Sequence, residues 1–246
     1  MTKLFTLLFA LAVASVTAYA QAPAVYAQAP AVPAQAPAVP AQAPAVPAAA
    51  AAPAGAKSIE AKVAMCIGCH GIKGYQASFP EVYKVPMISG QGAKYIAAAL
   101  NAYKSGDRKH PTMRGIADTL SEQDINDISA YYEQHGKGEA KAADKVREPS
   151  PQVAALLQKA ACVSCHGANF SKPIDPSYPK VAGQHSDYLF TALKAYKVEN
   201  NPTVGRNNAV MGAIAKQFSN TELKAMSNYL GSLDGELVTK PESKFR

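Results

Sequence analysis

From Lys57 onward, apolar positions recur at helical spacing in a pattern that occurs twice along the chain. Ile59, Val63 and Cys66 share one helical face, and Val153, Leu156, Leu157 and Ala160 share another behind Ser150-Pro151, a pair suited to a cap and a first turn. Middle helices follow the two Gly-Gln pairs, with Ile96, Leu100 and Tyr103 on one face in the first and Leu189, Leu193 and Tyr196 in the second. The last helices open with capping boxes, Ser121-Glu122-Gln123-Asp124 and Ser219-Asn220-Thr221-Glu222. Ile125, Ile128 and Tyr132, and Leu223, Met226 and Leu230, then face inward. No run of alternating or β-branched residues competes with this pattern, so the predicted class is all-α with three main helices per copy.

The two copies align residue by residue. Pro86-Met87-Ile88-Ser89-Gly90-Gln91 matches Pro179-Lys180-Val181-Ala182-Gly183-Gln184 at an offset of 93, where Tyr95, Leu100 and Tyr103 also find Tyr188, Leu193 and Tyr196. After a five-residue insertion the offset becomes 98, and Met113, Ile116, Ala117, Ser121 and Tyr131 match Met211, Ile214, Ala215, Ser219 and Tyr229. The chain is a tandem duplication, divided as 57–139 and 151–246 with a linker at 140–150.

Ahead of the helices the pattern stops. Residues 21–56 carry Q-A-P-A-V-x-A units beginning at Gln21, Gln28, Gln35 and Gln42, a low-complexity spacer without a core to bury. As polyproline II its reach would be on the order of 110 Å. Residues 1–20 read as a secretory signal: Lys3, an apolar stretch from Leu4 to Val16, and the small-residue site Ala18-Tyr19-Ala20. The alternative is an uncleaved anchor through residues 4–20 that would tether the head to the membrane. Either reading places the chain outside the cytoplasm, in the periplasm.

The chemistry lies in the cysteines. All four fall in two copies of C-x-x-C-H, Cys66-Ile67-Gly68-Cys69-His70 and Cys162-Val163-Ser164-Cys165-His166. On a helix, cysteines three apart share a face, where their sulfurs add to the two vinyl groups of one haem while the next imidazole reaches the iron. A zinc site from two such pairs would space them roughly 15 to 20 residues apart, far closer than Cys66 and Cys162. A thioredoxin-like dithiol needs a preceding strand, and two disulfides leave the repeated histidine without a purpose. Two haem c groups are therefore expected.

Met113 and Met211 are the candidates for the second axial ligand, because they occupy equivalent places before the last helix. A thioether there raises the reduction potential and closes the iron to substrate. His110 is a rival to Met113, although Asn208 stands at its counterpart; Met87 is replaced by Lys180 in the second copy. Met65 and Met226 are expected in the core, and the unrepeated His135 and His185 on the surface.

With both motifs, the P-x-x-x-G-Q segments before Tyr-containing helices, the paired methionines and the S-x-x-(D/E) helix starts, residues 57 to about 235 resemble the dihaem cytochromes c of the cytochrome c4 family. That resemblance implies a tandem pair of class I cytochrome c domains. It also implies backbone carbonyls of Pro86 and Pro179 hydrogen-bonded to His70 and His166, and a carrier of single electrons from a donor such as a quinol-oxidising complex to an acceptor such as a terminal oxidase. Alternatives are a cytochrome subunit of a periplasmic dehydrogenase, or a dihaem peroxidase or thiosulfate-oxidising enzyme, which needs an iron with an open position. Paired methionines argue against the enzyme. Nucleic acid is excluded as a partner for an exported haem protein.

Charge adds one expectation. Residues 57–140 hold ten basic against nine acidic side chains, and residues 141–246 hold fourteen against nine. The second domain is the basic one, which suggests that Lys194, Lys197 and Arg206 attract an acidic redox partner.

Overall fold

The computed structural model describes residues 57–242, and the readings of a signal and a spacer in residues 1–56 lie outside them. The first copy begins with α1 (Ile59–His70), capped by Ser58 Oγ accepting from the Ala61 amide. A short antiparallel hairpin follows, β1 (Gln76–Ala77) with β2 (Tyr83–Lys84). Next come α2 (Ala93–Ser105), the two-residue strand β3 (Arg108–Lys109), α3 (Pro111–Asp118) and α4 (Glu122–His135). The second copy runs α5 (Pro151–Lys159), α6 (Val163–His166), α7 (Ser186–Ala195), β4 (Gly205–Arg206), α8 (Ala209–Ala215) and α9 (Asn220–Gly231). Both capping boxes form, each hydroxyl bonding the amide three residues on while Asp124 or Glu222 reaches back. The three main helices per copy are joined by a short fourth, α3 or α8, which carries the methionine.

Each copy has its own apolar cluster. Val63 and Ile67 of α1 pack with Ile96, Leu100, Ile125 and Ile128 in the first; Leu156, Leu157, Leu189, Leu223, Met226 and Leu230 are central to the second. Met226 is buried as expected, whereas Met65 is 62% exposed. The reason is periodicity: α1 turns Val63 and Ile67 inward, and a residue two positions from each lies on the opposite side. His135 departs from expectation too, since its side chain is only 6% exposed. It is enclosed by Ser89 Oγ at 3.0 Å, by Glu242 at 3.2 Å and by the stacked ring of Tyr131. His185 is half-buried at the start of α7.

The repeated glycine of each P-x-x-x-G-Q segment has a backbone reason. Gly90 has φ +85°, where a Cβ would stand 2.5 Å from the Glu236 carbonyl oxygen, and its amide bonds the Tyr132 carbonyl at 2.8 Å. Gly183 has φ +73°, and its amide bonds the Leu230 carbonyl at 3.0 Å. Only glycine takes this conformation readily while packed so closely.

The motif helix differs between the copies, as does the β1–β2 hairpin, which the second copy lacks among the described residues. The helix bearing the first motif runs unbroken to His70, but in the second it ends at Lys159 and resumes at Val163 through Ala161, at φ +49°. A left-handed alanine costs about 1–2 kcal/mol. Cys162 is nevertheless helical, and the His166 amide bonds its carbonyl at 3.0 Å, so the motif occupies a single turn.

Candidate functional site

Each motif presents its histidine to its own copy's proline. His70 Nδ1 lies 2.8 Å from the Pro86 carbonyl oxygen, and His166 Nδ1 lies 2.9 Å from that of Pro179. A carbonyl can only accept, so Nδ1 carries the hydrogen in both rings and Nε2 is left with its lone pair. Burial pushes both imidazoles below their ordinary pKa, against the opposing pull of the proline carbonyls, which favours the neutral, ligating form. Burial also pushes the Cys66 and Cys162 thiols up to about 11, so neither is a thiolate of the kind used for catalysis or redox exchange at neutral pH.

The methionines occupy corresponding local structures. Met113 sits in the first turn of α3 and packs, like Cys66, against the apolar cluster of the first copy. Its amide donates to His110 Nδ1 at 3.3 Å; Met211's amide donates to Asn208 Oδ1 at 2.9 Å. His110 and Asn208 are thus matched helix caps. With Nδ1 accepting, His110 Nε2 bears the hydrogen and donates to Tyr83 Oη at 3.1 Å, which uses both ring nitrogens. Ile214, three residues past Met211, packs against the second cluster, as does Cys162.

A second set of groups lies between the copies and escaped the sequence reading. β3 pairs with β4 antiparallel, setting Arg108 opposite Arg206. Arg108 donates to Tyr95 Oη at 3.0 Å and lies over the Tyr95 and Tyr103 rings; Arg206 donates to Tyr188 Oη at 3.0 Å and lies over those of Tyr188 and Tyr196. Burial alone would lower the pKa of both guanidiniums, but the surrounding phenols hold it above the ordinary arginine value, so both stay charged. Neither forms an ion pair with a carboxylate among the described residues. Two half-buried cations side by side repel each other and call for anions. The available signal was the arginine repeated at offset 98, alongside tyrosines repeated at offset 93.

This arrangement corrects the docking expectation. Arg206 is enclosed between the copies, Lys194 pairs with Glu81 of the first copy at 2.5 Å, and Lys197 donates to the Phe218 carbonyl at 2.7 Å. The three cations are tied into the structure and are not free surface charges. The charge excess of the second copy therefore does not translate into a basic patch at these positions.

The donor set fits haem: two helical turns with paired cysteines, two histidines oriented through Nδ1, and half-buried guanidiniums suited to the carboxylates that haem carries. Two all-α copies of this kind, each with a C-x-x-C-H turn, define a tandem c-type cytochrome. Residues 54–135 and 152–234 match the cytochrome c family. Cytochrome c4 of Stutzerimonas stutzeri is 32% identical over 192 residues, covering 72% of this chain and 89% of that protein. The thiosulfate dehydrogenase electron acceptor of Stutzerimonas stutzeri strain A1501 is 28% identical, covering 68% of this chain and 78% of that protein. The solved structure of Acidithiobacillus ferrooxidans cytochrome c4 superimposes with a TM-score of 0.54 at 26% identity, over 70% of this chain and 99% of that one. The chain belongs to the cytochrome c family and, within it, to the dihaem cytochromes c4, whose two domains each bind one haem c. No helix among the described residues is long and apolar enough to cross a membrane.

Proposed function

We propose that the chain is a periplasmic carrier that takes up and releases electrons one at a time through two closed haem c sites. The single observation that carries this reading is the duplicated His-to-Pro carbonyl bond, 2.8 Å in one copy and 2.9 Å in the other, together with a methionine at the matching position in the first turn of α3 and of α8. When bound, each haem supplies one-electron exchange at its iron. Cys66 and Cys69, and Cys162 and Cys165, would hold the groups covalently; His70 and His166 would ligate through Nε2 while Pro86 and Pro179 fix the rings and raise ligand basicity. Met113 and Met211 would supply the second ligands, exclude exogenous ligands and favour the ferrous state. Arg108 and Arg206, with their tyrosines, would offer cationic partners to the haem carboxylates.

Hydrogen bonds and ion pairs across the seam between the copies support electron passage within the chain. Glu81 joins Lys194 and Thr191, the Lys84 amide joins Asp187 at 3.1 Å, and Asn207 joins Asp107. The donor is of the quinol-oxidising type and the acceptor of the terminal-oxidase type, as the family resemblance implies. A second reading has one specific support, the thiosulfate dehydrogenase electron acceptor among the relatives: the chain would accept electrons from a sulfur-oxidising dehydrogenase. Both readings require a carrier.

Intact-mass analysis of the purified protein should give the polypeptide plus two haems bound through thioethers. Replacing both cysteines of one motif by alanine should remove one haem and leave the other. A mass with one haem in the unmodified chain, or with a zinc ion in its place, would overturn the reading.

A further inference from the structure

The two most deeply buried amide side chains, Gln91 and Gln184, are both 4% exposed, and each reaches out of its own copy. Gln184 Oε1 accepts from the Met87 amide at 3.0 Å, and its Nε2 donates to the Met87 carbonyl at 2.9 Å. Gln91 does the same in reverse: its Oε1 accepts from the Lys180 amide at 3.0 Å and its Nε2 donates to the Lys180 carbonyl at 3.0 Å. Met87 and Lys180 immediately follow Pro86 and Pro179, whose carbonyls hold His70 and His166. Each oxygen is fixed in turn by the next amide of its own chain, from Gly92 or His185 at 3.0 Å. The side chain at position 87 or 180 is free to differ, methionine in one copy and lysine in the other, because the glutamine grips the backbone on both sides of it.

We propose that Gln91 and Gln184 are crossed positioning residues: Gln184 of the second copy sets the proximal ligand geometry of the first site, and Gln91 of the first copy sets that of the second. This deepens the proposed function and rests on the reading of His70 and His166 as iron ligands. The logic is mechanical. The peptide group joining Pro86 to Met87 supplies both the carbonyl that accepts from His70 and the amide that donates to Gln184, so holding the amide aims the carbonyl. A well-aimed carbonyl makes the imidazole more basic and favours ferric iron. Loosening it should raise the midpoint potential of the site concerned. Because the grip comes from the other copy, the affected site is the distant one in sequence. Two instances of the same four-atom pattern, in a chain whose ion pair from Glu81 to Lys194 has no counterpart in the other direction among the described residues, argue that the arrangement serves something both sites share.

The test is a spectroelectrochemical titration of the full holoprotein with Gln91→Leu and Gln184→Leu, which remove both hydrogen bonds at similar volume. Met113→His and Met211→His, made separately, assign the two midpoints, since exchanging thioether for imidazole lowers the potential of its own site. Gln91→Leu should move the second midpoint upward by roughly threefold in the reduction equilibrium and leave the first in place, and Gln184→Leu should do the converse. If a Leu variant yields no holoprotein, the corresponding Asn variant, one methylene too short to span both backbone groups, must shift the same crossed midpoint. A shift in the variant's own copy, equal shifts at both sites, or no shift overturns crossed positioning. Met→His variants that move neither midpoint overturn the ligand reading itself, whatever the glutamine variants do.

Discussion

Replacing Met113 by alanine should abolish about half of the far-red absorbance of the ferric protein and open that iron alone to carbon monoxide; Met211→Ala should do the same at the other site. The size of the effect follows from ligand chemistry. The thioether is favoured over its histidine rival in the first copy, because His110 spends Nδ1 on the Met113 amide and Nε2 on Tyr83. Its loss leaves an open position and lowers the potential that the methionine had raised. His110→Asn is the matched control, since asparagine caps the same turn in the second copy, and it should preserve the band. If Met113→Ala leaves the spectrum intact while His110→Ala alters it, the first site is misassigned.

Neutralising one of the half-buried guanidiniums should be the most destabilising change short of losing a haem. Arg108→Met or Arg206→Met would leave the haem carboxylate that this seam is suited to hold without its cation and one phenol, Tyr95 or Tyr188, without its donor. The expected cost is about 3–5 kcal/mol. For a domain pair of this size, that lowers the melting temperature by on the order of 10 °C. Removing a positive charge near the iron also favours the ferric state, so the midpoints should fall. Lysine should rescue poorly, because it lacks the planar fork that bonds a phenol while lying over two rings. Tyr95→Phe, which loses one hydrogen bond, should cost only about 1 kcal/mol. An Arg108→Met holoprotein as stable as the parent would show that no anion depends on this pair.

What could be read from the sequence was local. Helix faces, both capping boxes, the Ser150-Pro151 start and the motif turns depend on residues within one or two turns of each other, and periodicity reports them directly. The duplication brought out Met113 and Met211 by the same means. Contacts between copies have no such signature. Gln91 and Gln184 stood in the repeated segments as characters of a motif, and only the fold reveals that each amide grips the other copy's backbone. Arg206 counted as surface charge because a tally of residues cannot distinguish a solvated cation from one enclosed by tyrosines. His135 is buried through Glu242, more than a hundred residues away, in a terminal segment whose Val238 amide also bonds Ser89. The break at Ala161 has no composition cue, since Ala160 and Ala161 are good helix formers.

The central claim, two closed iron sites in one electron carrier, is tested most directly by an optical redox titration of the purified protein. Two one-electron steps at positive potential, each with low-spin spectra in both oxidation states and no carbon monoxide adduct of the reduced protein, are the predicted result. A high-spin component, or a reduced site that binds carbon monoxide without mutation, would contradict it and point to an enzyme with an open haem.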